Sequence, residues 1–211
     1  MTEHPLRGIL ERAAGESFPA ADGGVDVLSP DAAGTRAVVA FSGHAYVLAD
    51  IDPAELTALG ADGFGGASKP DVLCAVAGSD LEIGSLDVVL VTTGGGGERL
   101  ERRHDLDHHS RVQRAAHHRR DVEVYGDEVG LVILGRGLVD RRELSVELIN
   151  PAAGGRGEGR RLIRAGLAAI PPGEWCWAQV APGNAASLRA FLACGFVPVC
   201  SEVLITSHPS V

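Results

Sequence analysis

The sequence predicts an α/β fold built on a mixed sheet, and three observations carry that expectation. The 211 residues are 45% hydrophobic and 22% charged, the balance of an ordinary globular chain. In the second half, short runs of Val, Leu and Ile alternate with stretches of helical period. Their order there is strand–strand–strand–helix–strand–helix–strand, which mixes the two strand directions. With aromatics at only 4%, the core must come from Val, Leu, Ile and Ala.

The elements follow in chain order. Residues 1–24 are small and polar and read as a loosely held arm with at most one short helix. The stretch 36–51, RAVVAFSGHAYVLADI, reads as two strands around a Ser42-Gly43 turn. DPAELTALG and KPDVLCAVAG each place Pro near a helix start and Gly at its end, so two short helices follow. LDVVLVTT, 86–93, is a buried strand, and the four glycines 94–97 read as a flexible joint. Residues 105–118 look helical. VEVYGDEVGLVILGRG, 122–137, is a hairpin turning at Gly126-Asp127, and RRELSVELIN, 141–150, is a third strand reached through Val139-Asp140. WCWAQV is a strand, NAASLRAFLAC a helix and FVPVCSEVLITS a terminal strand or hairpin. The expected division is an N-terminal strand-hairpin and short-helix region, 1–85, and a second domain, 86–211.

Charge and cysteine usage exclude several classes. A net charge of −9 leaves no excess of cations to hold nucleic acid or an anionic membrane. No apolar run approaches the ~20 residues of a membrane span. Cys74, Cys176, Cys194 and Cys200 form no CxxC pair, and no secretory signal precedes them. Reduced thiols in a cytoplasmic protein are therefore expected, with no disulfide framework and no metal.

Residues 151–167, PAAGGRGEGRRLIRAGL, crowd glycine directly in front of a helical pattern. Leu162, Ile163, Gly166, Leu167 and Ile170 share one face, and Pro171-Pro172-Gly173 ends the helix. Its N-terminus falls near Gly157–Arg160, where the first N–H groups have no intrahelical partner and the dipole is positive. Glycines without Cβ let an anion reach those amides, and Arg156, Arg160 and Arg161 add cations. A plain loop is the competing reading. The spelling fails both GxxxxGK[ST] and GxGxxG. About 25 residues on, APGNAASLRAFLACGF supplies a second pattern. Asn184 caps a helix with Leu188, Phe191 and Leu192 as its stripe, and Gly195 ends it.

Together these two segments make residues 86–211 resemble the Gcn5-related N-acetyltransferase (GNAT) superfamily, most strongly over 141–204. The family motif Q/R-x-x-G-x-G/A is similar to Gly154-Gly155-Arg156-Gly157-Glu158-Gly159, in which both glycines match and Gly154 stands in place of Gln or Arg. The resemblance implies a mixed, mostly antiparallel central sheet with flanking helices, the acyl-CoA N-acyltransferase fold, with an additional N-terminal α/β segment. It implies that backbone amides from Arg156 to Arg160, through Gly157, Glu158 and Gly159, bind the pyrophosphate of acetyl-CoA, the expected cosubstrate. Leu148 and Ile149 would pair through their backbone with the pantetheine arm. Asn184, Ser187 and Phe191 match the second family motif, and Phe191 occupies the place of the family's usual tyrosine general acid.

Acetyl transfer to an amine needs a proton acceptor, stabilisation of the thioester oxygen and a leaving thiolate. The strand 141–150 alternates, placing Glu143, Ser145, Glu147 and Ile149 on one face and Leu144, Val146 and Leu148 on the other. The apolar face is expected to pack on the 160–170 helix. Glu143 or Glu147 would then be the base, with Ser187 or a water protonating the sulfur; otherwise both glutamates are solvated or paired with Arg141 or Arg142. His104 and His108 have helical i,i+4 spacing that a metal would accept, but the arginines among the five histidines of 104–118 favour a polar helix face. Two functions remain: an N-acetyltransferase acting on a small-molecule or protein amine by direct transfer, and a non-catalytic acyl-CoA-binding regulatory module. Residues 1–85 would form a homodimer surface or cover the acceptor site.

Overall fold

The computed structural model describes residues 3–149 and 156–207. The chain divides into two compact units. One comprises the residues before Leu90 together with those after Pro198, and the other is Leu90–Pro198.

The first unit opens with α1 (Pro5–Ala14), whose Leu6, Leu10 and Ala13 are buried at helical spacing. His4 caps it: Nδ1 accepts the Leu6 amide at 3.2 Å and Nε2 bonds the Ser29 carbonyl at 3.0 Å. The arm thus contains the one short helix the sequence allows, docked by its buried face and its cap. It leads to β1 (Val25–Leu28), a four-residue strand beyond the arm that no flanking pattern marks in the sequence. β2 (Arg36–Phe41) and β3 (His44–Leu48) form the expected antiparallel hairpin, and β1 lies parallel to β3. Gly43 turns it at φ +86°, where an added Cβ would meet Ala21 at 2.7 Å. α2 (Pro53–Ala58) and α3 (Pro70–Ala77) start at prolines, as anticipated. Their Leu56, Val72 and Val76 join Val38, Val47, Val203 and Ile205 in one core. Val203 and Ile205 belong to β9 (Val197–Thr206), which pairs antiparallel with β2.

β4 (Glu82–Thr93) starts four residues earlier than its Val/Leu run indicated. Its last residues, Leu90–Thr93, belong to the second unit. The glycines after it are not a free joint. The Gly94 amide donates to the Glu174 carbonyl at 2.8 Å and that of Gly95 to Leu167 at 2.9 Å. A Cβ on Gly94 would overlap Ile170, so close approach, not flexibility, is why glycine stands there.

α4 (Ser110–His118) is shorter than the 105–118 pattern. His104 and His108 lie outside it, which removes their helical spacing. β5 (Arg120–Gly126), β6 (Gly130–Arg136) and β7 (Arg142–Leu148) form an antiparallel meander. The Asp127 carboxylate closes the first turn by accepting the Val129 and Gly130 amides. Val139 and Asp140 turn the second at φ +48° and +64°. α5 (Glu158–Ala168) covers one face, where Gly166 admits Leu144 and Val132. α4 covers the other, packing Val112 and Ala115 with Val124, Leu131 and Ile133. β8 (Trp175–Val180) follows and runs parallel to β7. α6 (Ala185–Leu192) precedes β9. The strand pairings are thus mixed and mostly antiparallel, with helices flanking them, as the sequence implies.

Candidate functional site

β7 alternates as its sequence requires. Leu144 is buried against α5, while Glu143 and Ser145 are buried on the α4 face and Glu147 is half-buried there. β7 and β8 are in register at Glu143 opposite Trp177. Among the described residues no further register pair joins them, so beyond Glu143 and Trp177 there is a gap in the ladder between the facing edges of the two strands. From Ser145 to Leu148, β7 keeps β6 as its ladder partner. Facing strand edges without a ladder leave backbone N–H and C=O groups toward the gap, ready for an extended ligand with amides of its own.

The closed end of this gap is polar. Glu143 Oε2 accepts from Arg119 Nε at 2.8 Å, and Oε1 from Arg141 Nε at 2.8 Å and from Gln179 Nε2. Burial would raise the Glu143 pKa, but the Arg141 and Arg119 guanidiniums outweigh it and hold the carboxyl below its usual range. Glu143 is thus a fixed, paired carboxylate, the arrangement expected if it did not serve as a free base. Arg141 is itself buried over the Trp177 ring, 5.8 Å from its centroid. Glu147 differs: among the described residues its carboxylate has no ion pair or hydrogen-bonded partner. It lies on the same face two residues past Ser145.

At the far end of the connection from β7, α5 begins at Gly157, which has φ +92° and no side-chain cap. Glu158 sits in the first turn, and its carboxylate pairs with Arg161 at 2.7 Å. Arg161 also pairs with Asp127 at 2.7 Å, so its charge is spent locally. Arg156 and Arg160 are exposed and make no ion pair among the described residues. Gly159 faces α6, where Ala190 lies 4.0 Å from a Cβ built on it. Leu148 is half-buried and Ile149 is 46% exposed beside the gap. Gly154 and Gly155 lie outside the described residues.

Asn184 caps α6 with its Oδ1 on the Ser187 amide at 3.1 Å, and Ser187 is half-buried. Phe191 points into the core, edge-on to Phe196 at 4.9 Å. The Cys194 thiol contacts the Arg160 carbonyl at 3.5 Å, joining the end of α6 to the start of α5. Burial pushes the Cys176 and Cys194 thiols up, against a nucleophilic role. No group of His, Cys, Asp or Glu suited to a metal occurs among the described residues. Partial burial, with His117 and Arg119 alongside, pushes His118 down. No helix among the described residues is long and apolar enough to cross a membrane. A depression of about 410 Å³ lies between Glu98–Arg103 and the β5–β6 turn.

Arg119 and Gln179 are the site residues that sequence reasoning did not identify. Gly135 marks the place of Arg119, and Gly137 that of the Glu143 carboxylate that Arg119 and Gln179 both hold. A Cβ on Gly135 would crowd the Arg119 stem at 3.0 Å, and one on Gly137 would overlap the Glu143 carboxylate.

The described fold is a mixed, mostly antiparallel α/β arrangement in which one register pair joins parallel strands β7 and β8. No protein-family model matches the chain, and none of the curated proteins does. Among the solved structures similar to it are three, each at a TM-score of 0.41. One is a protein assigned to the GNAT acetyltransferase family from Novosphingobium aromaticivorans, 18% identical, covering 62% of this chain and 69% of that one. Another is a GNAT-family acetyltransferase from Colwellia psychrerythraea, 7% identical over 78% and 76%. The third is a GCN5-related N-acetyltransferase from Kribbella flavida, 12% identical over 62% and 61%.

Proposed function

We propose that this chain is an N-acetyltransferase that carries the acetyl group of acetyl-CoA directly to an amine. The observation that supports it most is the single-register contact between parallel strands β7 and β8. The gap beyond it suits a pantetheine arm, whose amides would pair with the β8-facing edge of β7 at Leu148; the Ile149 amide already donates to the Val129 carbonyl at 3.0 Å, so Ile149 would contribute its side chain only. The uncapped start of α5 suits the diphosphate, held by the amides from Arg156 through Gly157, Glu158 and Gly159 to Arg160. Exposed Arg156 and Arg160 add charge there, and Gly154 and Gly155 complete the proposed loop. Asn184 spends its Oδ1 on the helix cap; its NH₂ remains for the pantetheine.

In the proposed reaction Glu147, directly or through a water, takes a proton from the acceptor ammonium. The amine nitrogen bonds to the thioester carbon, the C–S bond breaks, and the second proton leaving the nitrogen passes through Ser187 or a water to the sulfur. A thiol of pKa about 8.5 leaves adequately without a stronger acid. Glu143 orders the closed end of the gap in place of acting as base.

Saturating acetyl-CoA is expected to raise the melting temperature by about 5–10 °C, the size that ligand at a hundred times its Kd gives a chain of this length. Gly157→Asp should abolish most of the shift, because it adds a like charge at the diphosphate. Gly157→Ala, which carries only the positive-φ strain, should retain more of it. An unchanged melting temperature with millimolar acetyl-CoA would remove the proposal.

A second reading is an acyl-CoA-binding module without turnover. Phe191 at the place of the usual acid, and Glu143 locked between guanidiniums, favour it. Amine-dependent release of CoA thiol that is lost in Glu147→Gln would exclude it.

A further inference from the structure

We propose that Arg119 recognises the acceptor, and that the acceptor is an amine carrying its own carboxylate, an amino acid or a close relative. This rests on the acetyltransferase reading and adds the substrate class to it. Arg119 follows the last residue of α4 in an extended conformation, φ −136° and ψ 146°. Its side chain therefore leaves the helix and lies across three strands. The stem passes over Gly135 on β6; Nε and Nη1 reach Glu143 and Ser145 on β7, and Nη2 reaches Gln179 on β8 at 3.3 Å. The side chain is 11% exposed.

Such a set is not what stability alone would select. Apolar residues of the same volume serve a sheet face as well as a buried ion pair, or better. Yet two glycines are shaped around this one: Gly135 under the Arg119 stem and Gly137 over the Glu143 carboxylate. A guanidinium has five N–H donors, and the three bonds above leave one on each Nη. Those donors suit a planar carboxylate, which a guanidinium takes bidentately. Ser145, which positions Nη1, is two residues from Glu147 on one face of β7, a spacing of about 7 Å. One small molecule spans that distance with its carboxylate on Arg119 and its amine toward Glu147. A simple amine would leave the two donors unmatched.

The test uses the full chain, acetyl-CoA and paired acceptors: each standard amino acid against the amine left by its decarboxylation. CoA-thiol release is expected to favour the amino acid in at least one pair by about tenfold or more in kcat/KM, the scale of a charge-assisted pair. In Arg119→Gln that ratio should fall toward one through a raised KM for the amino acid. Arg119→Lys, which keeps charge without the fork and guards against a folding failure, should lower it too. A merely structural role would slow both members alike and leave the ratio intact. Equal rates within every pair, no turnover of any amino acid, or a ratio that survives Arg119→Gln would overturn the assignment. Calorimetric titration of acetyl-CoA runs alongside: no binding defeats the acetyltransferase reading itself, whereas binding without carboxylate preference defeats only this inference.

Discussion

Glu143 and Glu147 share a face of β7, and alternation treats them alike; their surroundings do not. Arg119, 24 residues upstream, and Gln179, 36 downstream, close on Glu143 and leave Glu147 alone. No local pattern in the strand carries that difference, which is why both stood as equal candidates for the base. The sequence allows Glu143 a pair with Arg141 as the alternative to a base role, and the structure has that pair at 2.8 Å. Removing one member of a buried pair strands the others, so Glu143→Gln is expected to cost about 3–5 kcal/mol of stability. The cost should depend on pH. A carboxyl depressed in the folded state stabilises fully above its unfolded value, about 4.3, and loses that contribution as pH falls through the lower folded value. The gap in melting temperature between wild type and Glu143→Gln should therefore be constant from neutral pH to about 5 and close below it. A gap that widens on acidification would contradict the pairing.

Among the elements, those with their own punctuation were legible and those shaped by neighbours were not. Prolines at Pro53 and Pro70, Asn184 before α6 and the glycines before α5 marked helix ends that the structure keeps. α4 begins late because its cap is His109, whose Nδ1 accepts the Arg111 amide, a residue type sequence rules do not favour there. Glycines 94–97 read as slack, whereas the first two are fastened to Glu174 and Leu167 by tertiary contacts. α5 offers a test of packing against propensity. Alanine at Gly166 should gain about 1 kcal/mol of helix propensity. Its Cβ would, however, lie 2.5 Å from Leu144 Cδ1 and 2.8 Å from Val132 Cγ1. Overpacking of this kind costs about 1–3 kcal/mol, and Val132 is branched at the contact and yields little. Denaturant unfolding of Gly166→Ala should show a net loss.

At the scale of the whole chain, the first unit is made from both ends of the sequence. Val203 and Ile205 belong to a core otherwise built from residues before Leu90. Truncation after Pro198 should therefore expose the β2 edge and yield an insoluble or molten product by circular dichroism and light scattering. A soluble, cooperatively melting fragment would refute this. A cut at residue 85 would likewise fall inside β4 and part it from the rest of its strand. The discontinuity also sets an order of events during synthesis. Residues 90–198 are contiguous, and their meander and helices can collapse as soon as they have left the ribosome. The earlier-made strands β1, β2 and β3 must wait, with β2 lacking its outer neighbour, until β9 emerges and closes their sheet. The part translated first thus finishes last, and the unpaired flank of β2 is where a chaperone would have most to protect.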